Sequence, residues 1–163
     1  MKDNVIILTT GLSGSSVVTG LIAKVGYWLG ENTEFKNNTT GRYETYENSR
    51  LVALNNQLIQ AANINIDSKF WYTPENRKLF EAMLNNITPS DYVDFVQQCS
   101  SHEPWLWKDP TLWCTIGFWL KLLQKDKIKC IVLYRDINEL WFSQTYKRII
   151  YDYKTLKSAE SHS

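Results

Sequence analysis

The chain has little of what the simplest functional assignments rest on. Two histidines and three cysteines are spread over 163 residues with no C-x-x-C pair, so no cluster has zinc-ligand spacing. Cys99, Cys114 and Cys130 are odd in number and far apart, which excludes a complete disulfide framework and reads as reduced, buried thiols of a cytoplasmic protein. No apolar run approaches the ~18 residues a membrane span needs, and no charged-then-apolar leader opens the sequence. Charge of one sign is also lacking. Eighteen Lys and Arg stand against seventeen Asp and Glu, and the net +1 gives no general attraction to nucleic acid or a membrane surface. Any anion site must therefore be local.

What is present is a single-domain chain over residues 1–163, long enough to bury roughly 70% of its unfolded surface. Aromatics are plentiful, with seven Trp, and Trp105, Trp107, Trp113 and Trp119 stand either in a core or along a cleft wall. The strongest local signal is at the start. The β-branched run Val5-Ile6-Ile7-Leu8 leads into Thr9-Thr10-Gly11-Leu12-Ser13-Gly14-Ser15-Ser16, and then into a helical pattern over residues 15–25. A strand, a Gly/Ser-rich turn and a helix start in that order aim backbone N–H groups and hydroxyls at one small volume. That volume suits an anion such as phosphate. The ATP-type loop is a different motif, because it needs a lysine where this chain has Ser or Val.

Further along, residues 31–42 are polar and read as an exposed loop. Residues 46–62 carry Leu51, Leu54 and Leu58 at helical spacing. Pro74 and Pro89 each open a helix behind a threonine. Residues 105–108 form a short strand, a helix follows from Pro110 to about 123, and residues 128–134 form a second strong strand. Asp136 caps a last helix to about residue 151, and the tail from 157 is polar. Strand–helix alternation with continuous apolar strands predicts an α/β fold with a parallel sheet covered on both faces by helices.

Two more segments sharpen the reading: Arg135-Asp136-Ile137-Asn138-Glu139-Leu140-Trp141-Phe142-Ser143 after the second strong strand, and Trp107-Lys108-Asp109-Pro110 at the end of the short one. Together with the loop from Gly11 to Ser16, they resemble the signature elements of sulfotransferases that use 3′-phosphoadenosine 5′-phosphosulfate (PAPS). The segments around Tyr43-Glu44 and Leu54-Asn55 are similar to one found in bacterial-type members. The resemblance runs over most of the chain from Val5 to Tyr146, and is patchy between Asn63 and Glu103.

It implies a three-layer, P-loop-like α/β fold and PAPS as sulfuryl donor, with no metal. Gly11, Ser13, Gly14, Ser15 and Ser16 would hold the 5′-phosphosulfate, and Arg135 and Ser143 the 3′-phosphate. A strand-end arginine and a serine two helical turns on can converge on one phosphate. The acceptor would be a hydroxyl or amine on a small molecule, carbohydrate or protein. Two departures stand out. Leu12 occupies the position where the family's loop usually has Lys or Arg, and the family's sequences usually continue beyond the point where this one ends.

For charge stabilisation the expected residue is Lys108, at a strand end facing the loop. For the base, the candidates are Glu44, Glu47 and His102; Glu44 fits the family segment best, and Glu44 and His102 are retained as catalytic candidates with Lys108. Two other classes remain open: a nucleotide-binding relative or interaction module without turnover, which Leu12 favours, and a small nucleotide kinase, which the missing loop lysine disfavours.

Overall fold

The computed structural model describes residues 2–9, 13–38, 41–62 and 90–146. Its centre is β1 (Asn4–Thr9), flanked by β4 (Leu106–Lys108) on one side and β5 (Ile128–Leu133) on the other, all parallel. Val5 pairs with Leu106 and Ile7 with Lys108, while β5 runs alongside from Asn4↔Ile128 to Thr9↔Leu133. A strand buried on both faces needs apolar side chains at every position, and Val5-Ile6-Ile7-Leu8 supplies them.

Alternate β1 residues serve different layers. Val5 and Ile7 pack with Leu106 beneath Val18 and Ile22 of α1 (Ser15–Ala23). Ile6 joins the larger core on the opposite face. That core holds Leu51, Leu54 and Leu58 of α2 (Ser49–Ala61), Phe95 and Cys99 of α3 (Ser90–Ser100), and Phe118 and Trp119 of α4 (Leu112–Leu122). Trp107 fills its middle, stacked on Trp105 and Phe95 with ring centroids 4.5 and 5.3 Å apart and edge-on to Trp119 at 5.1 Å. The chain is thus α/β, with a parallel sheet, three-stranded among the described residues, flanked by helices. Trp105, Trp107 and Trp119 are core residues.

Two regions differ from expectation. Most of the stretch expected as a loop is strand: β2 (Thr33–Asn38) and β3 (Gly41–Asn48) form an antiparallel hairpin. The helix expected from residue 46 begins at Ser49 instead. Asn48 stops the strand and caps the helix, its Oδ1 accepting from the N–H groups of Arg50 (2.9 Å) and Leu51 (3.2 Å). The hairpin ladder is irregular. Thr33 pairs with Asn48 but Phe35 with Glu44, so Thr45, Tyr46 and Glu47 stand against Glu34 alone in a bulge. Tyr46 sits there at φ 58°, and its ring rests on Gly20 of α1, where an added Cβ would lie 2.8 Å from it.

The last helix, α5 (Ile137–Tyr146), follows β5, with Asp136 Oδ1 accepting from the N–H groups of Asn138 and Glu139. Cys99 is buried as expected, Cys114 is half-buried, and Cys130 is exposed on β5, which corrects the reading of three buried thiols. The helix expected from Pro74, Pro89 itself and the chain beyond residue 146 lie outside the described residues. Among the described residues, no helix is long and apolar enough to cross a membrane.

Candidate functional site at the C-terminal edge of the sheet

In parallel α/β sheets, ligands bind beyond the carboxyl ends of the strands, because the following loops and helix starts converge there. Here that edge gathers Thr9 of β1, Lys108 of β4 and the Arg135 segment after β5. Gly14 takes the left-handed conformation at φ 85° and turns the chain into α1. Its carbonyl accepts from the N–H groups of Val17 (3.0 Å) and Val18 (3.4 Å), so the amides of Ser15 and Ser16 stand ahead of the first intrahelical bond. The Ser13 hydroxyl is hydrogen-bonded to that of Thr9, which ties the loop back to the strand end. Ser15 is buried and Ser16 half-buried. Gly11 and Leu12 lie outside the described residues.

Lys108 is the centre of the edge. Strand parity places it on the same side as Leu106, toward α1, with only 2% of its surface exposed. Its Nζ donates to Glu47 Oε1 at 2.5 Å, to the Thr45 carbonyl at 3.3 Å and to Ser16 Oγ at 3.4 Å. Burial holds this ammonium below the ordinary lysine value. The Glu47 carboxylate opposes that shift by proximity and hydrogen bonding, Lys36 adds to it, and Asp109 opposes it. Glu47 is itself buried, and its second oxygen, Oε2, lies 3.7 Å from Lys36 Nζ of β2. The bulge makes this possible, because a regular strand could not bring the Thr45 carbonyl and the Glu47 side chain to one ammonium while Tyr46 packs on α1.

Behind Lys108, Asp109 is fixed from within the core. Asn55 Nδ2 donates to its Oδ2 at 2.8 Å, and Thr111 donates from its backbone N–H to Oδ1 (2.9 Å) and from its hydroxyl to Oδ2 (2.7 Å). The Leu54-Asn55 and Lys108-Asp109 segments, each noted in the sequence, therefore meet through a buried hydrogen bond.

The remaining sequence candidates divide. Arg135 stands two residues past β5, at the same end of the sheet, with Nε 3.3 Å from Glu139 Oε2. Ser143 lies in α5, but its side chain is outside the described residues. Glu44 accepts from the Thr33 hydroxyl at 2.5 Å within the hairpin, and the carboxylate on Lys108 is that of Glu47. His102 sits at the opposite end of β4, before the strand begins. It is stacked on Trp28 at 4.5 Å, and its Nδ1 is 2.9 Å from the Gln98 carbonyl and 3.0 Å from Ser101 Oγ. The structure does not bring His102 to the loop and Lys108. Lys36 was not foreseen, since nothing distinguishes one lysine in a polar stretch.

Family models, curated proteins and solved structures give no match to this chain, so the reading of the site rests on its own geometry.

Proposed function

We propose that this chain is a sulfotransferase-like protein with a P-loop-like fold. It would bind 3′-phosphoadenosine 5′-phosphosulfate at the C-terminal edge of its sheet and transfer the sulfuryl group to a hydroxyl or amine. The observation that carries the reading is the approach of Lys108 Nζ, a buried cation, to Ser16 Oγ in the first turn of α1, at 3.4 Å. A buried ammonium beside a hydroxyl and a helix N-terminus is the donor set that an oxyanion requires. Arg135, at the same edge, adds a forked cation suited to a second phosphate.

The donor would supply the activated sulfuryl group with a phosphate leaving group. Sulfuryl transfer needs positioning and charge stabilisation more than covalent help, as phosphoryl transfer does. Ser13, Ser15 and Ser16 would orient the anion from the loop, and Lys108 would neutralise negative charge as it gathers on the leaving oxygen. Glu47 is the carboxylate nearest that lysine, while Glu44 is engaged by the Thr33 hydroxyl within the hairpin.

A second reading, a nucleotide-binding relative without turnover, is favoured by one fact: Lys108 already has Glu47, Thr45 and Ser16 as partners. Calorimetric titration with 3′,5′-adenosine diphosphate and with ATP-Mg tests both. Binding of the first that weakens at least tenfold in Arg135→Ala is the expected result; preference for ATP, or binding of neither, overturns the proposal. Transfer of labelled sulfate from PAPS to hydroxyl and amine acceptors then separates an enzyme from a binding module.

A further inference from the structure

Glu47 is a buried carboxylate addressed by two ammonium groups. Lys108 Nζ lies 2.5 Å from Oε1 and Lys36 Nζ 3.7 Å from Oε2. The two cations arrive from different elements, β4 of the parallel sheet and β2 of the hairpin. The carboxylate thus marks a point where any oxyanion would be bridged from both sides. We propose that Glu47 is an internal counter-anion standing in that position, that an incoming oxyanion displaces it, and that Lys36 is the second cation holding the bound anion. This rests on the reading of the edge as an oxyanion site, and it names the residues that regulate and complete it.

The three partners of Lys108 are not equally replaceable. The Thr45 carbonyl is fixed by the backbone, and Ser16 Oγ can itself donate to an anion. Glu47 is the member with negative charge. Lys108 is anchored by strand pairing through Ile7 on β1. Glu47 is carried on a bulge in a two-stranded hairpin, next to Tyr46 at φ 58°. A bulged two-stranded ribbon is the softer support. Lys36 is about half exposed, at 46%, against 5% for Glu47, so water borders the ion pair on the Lys36 side.

Charge points the same way. Lys108 and Lys36 are balanced by Glu47 and Asp109, so the group gains one net positive charge for an incoming oxyanion when Glu47 is displaced. Lys36 also gives the site a second cation without help from the loop position held by Leu12, since it comes from a different part of the chain.

Inorganic pyrophosphate is the probe, because it tests the oxyanion site whether or not the nucleotide reading holds. Its affinity is measured by calorimetry, and its effect by the shift in thermal midpoint. Glu47→Gln keeps an oxygen for Lys108 but removes the competing charge, and is expected to bind pyrophosphate on the order of tenfold tighter than the unsubstituted protein. Lys36→Met is expected to bind about five- to tenfold more weakly.

Glu34→Gln, which removes a carboxylate from the same hairpin, controls for general charge and is expected to change little. An equal gain in Glu34→Gln, no gain in a folded Glu47→Gln, or no loss in Lys36→Met overturns the inference. Absence of any pyrophosphate response does so as well. If Glu47→Gln fails to fold, Lys36→Met decides alone, because its side chain is half in water. Pyrophosphate binding with these effects but without binding of 3′,5′-adenosine diphosphate would sink the nucleotide reading and leave this inference standing.

Discussion

Asn55 and Asp109, fifty-four positions apart, are joined in the interior by a 2.8 Å hydrogen bond from Nδ2 to Oδ2. Asn55 has no exposed surface and Asp109 has 4%. The same Asn55 accepts at Oδ1 from Thr115 Oγ1 and Trp119 Nε1, both at 2.8 Å. One amide therefore ties α2 to α4 and to the residue after Lys108. Buried polar networks of this kind stabilise only while every member is satisfied.

Asn55→Ala is accordingly expected to cost about 2–4 kcal/mol, because it strips a partner from a buried carboxylate, takes the acceptor from the Trp119 N–H and leaves the Thr115 hydroxyl only the Thr111 carbonyl at 3.4 Å. Urea unfolding should show a lower midpoint with an unchanged slope. A loss below about 0.5 kcal/mol would mean that water replaces the amide.

Thiol chemistry should single out Cys130. Burial pushes the Cys99 thiol up to about 12, against the opposing effect of the Trp107 N–H, and burial with the nearby Asp109 does the same for Cys114. At pH 8 only about one in ten thousand of each is thiolate. An aromatic disulfide reagent should react rapidly with one equivalent in the native protein and with three in denaturant. Cys130→Ser should remove the fast equivalent.

Alkaline stability follows from the same groups. In the unfolded chain both thiols ionise near 9.0, while the folded chain keeps them protonated to about 12. Between those values the folded state holds more protons, so stability falls as pH rises, by about 1.4 kcal/mol per pH unit for each thiol. Lys108 works in the opposite sense. Its folded value lies below 10.5, so from that lowered value up to 10.5 the unfolded state holds more protons and stability rises with pH. Two thiols outweigh one amine. Denaturation midpoints from pH 9 to 11 should therefore fall, and the fall should be shallower in Cys99→Ala/Cys114→Ala.

Gly30 should tolerate no side chain. It has φ 115°, and an added Cβ would lie 2.3 Å from Asn48 Nδ2, in the side chain that caps α2. Gly30→Ala is expected to cost about 2–4 kcal/mol from backbone strain and a disturbed cap. Asn48→Ala alone should cost about 1 kcal/mol. The double variant should cost less than the sum, because the second change removes the clash, and a thermodynamic cycle measures this directly.

The parallel sheet was legible because β1, buried on both faces, is continuously apolar over residues 5–8, and because β5 carries apolar residues at Ile128, Ile131, Val132 and Leu133 although much of it is exposed. Lys108 was legible for a related reason: a charged side chain directly after buried Leu106 and Trp107 marks a strand end. The hairpin was not. Its strands read Thr-Glu-Phe-Lys-Asn-Asn and Gly-Arg-Tyr-Glu-Thr-Tyr-Glu-Asn, with too little apolar alternation to distinguish them from a loop. Glu44 was preferred over Glu47 because it fits the family segment best, and the local sequence gives no other reason to separate them. The separation comes from Tyr46 in the left-handed region, a conformation that side chains of its type seldom adopt and that no local pattern announces. His102 is close to Lys108 in sequence but at the other end of the strand between them.

The order of strands across the sheet, β4-β1-β5, has a consequence for synthesis. Val5 meets Leu106 on one side and Lys129 on the other, so the central strand leaves the ribosome long before either neighbour exists. At ~5–20 residues per second, the wait for Leu106 is roughly 5–20 s. During that interval a short, intensely apolar segment has no native partner, which makes β1 of the nascent chain a natural client for cellular holdases.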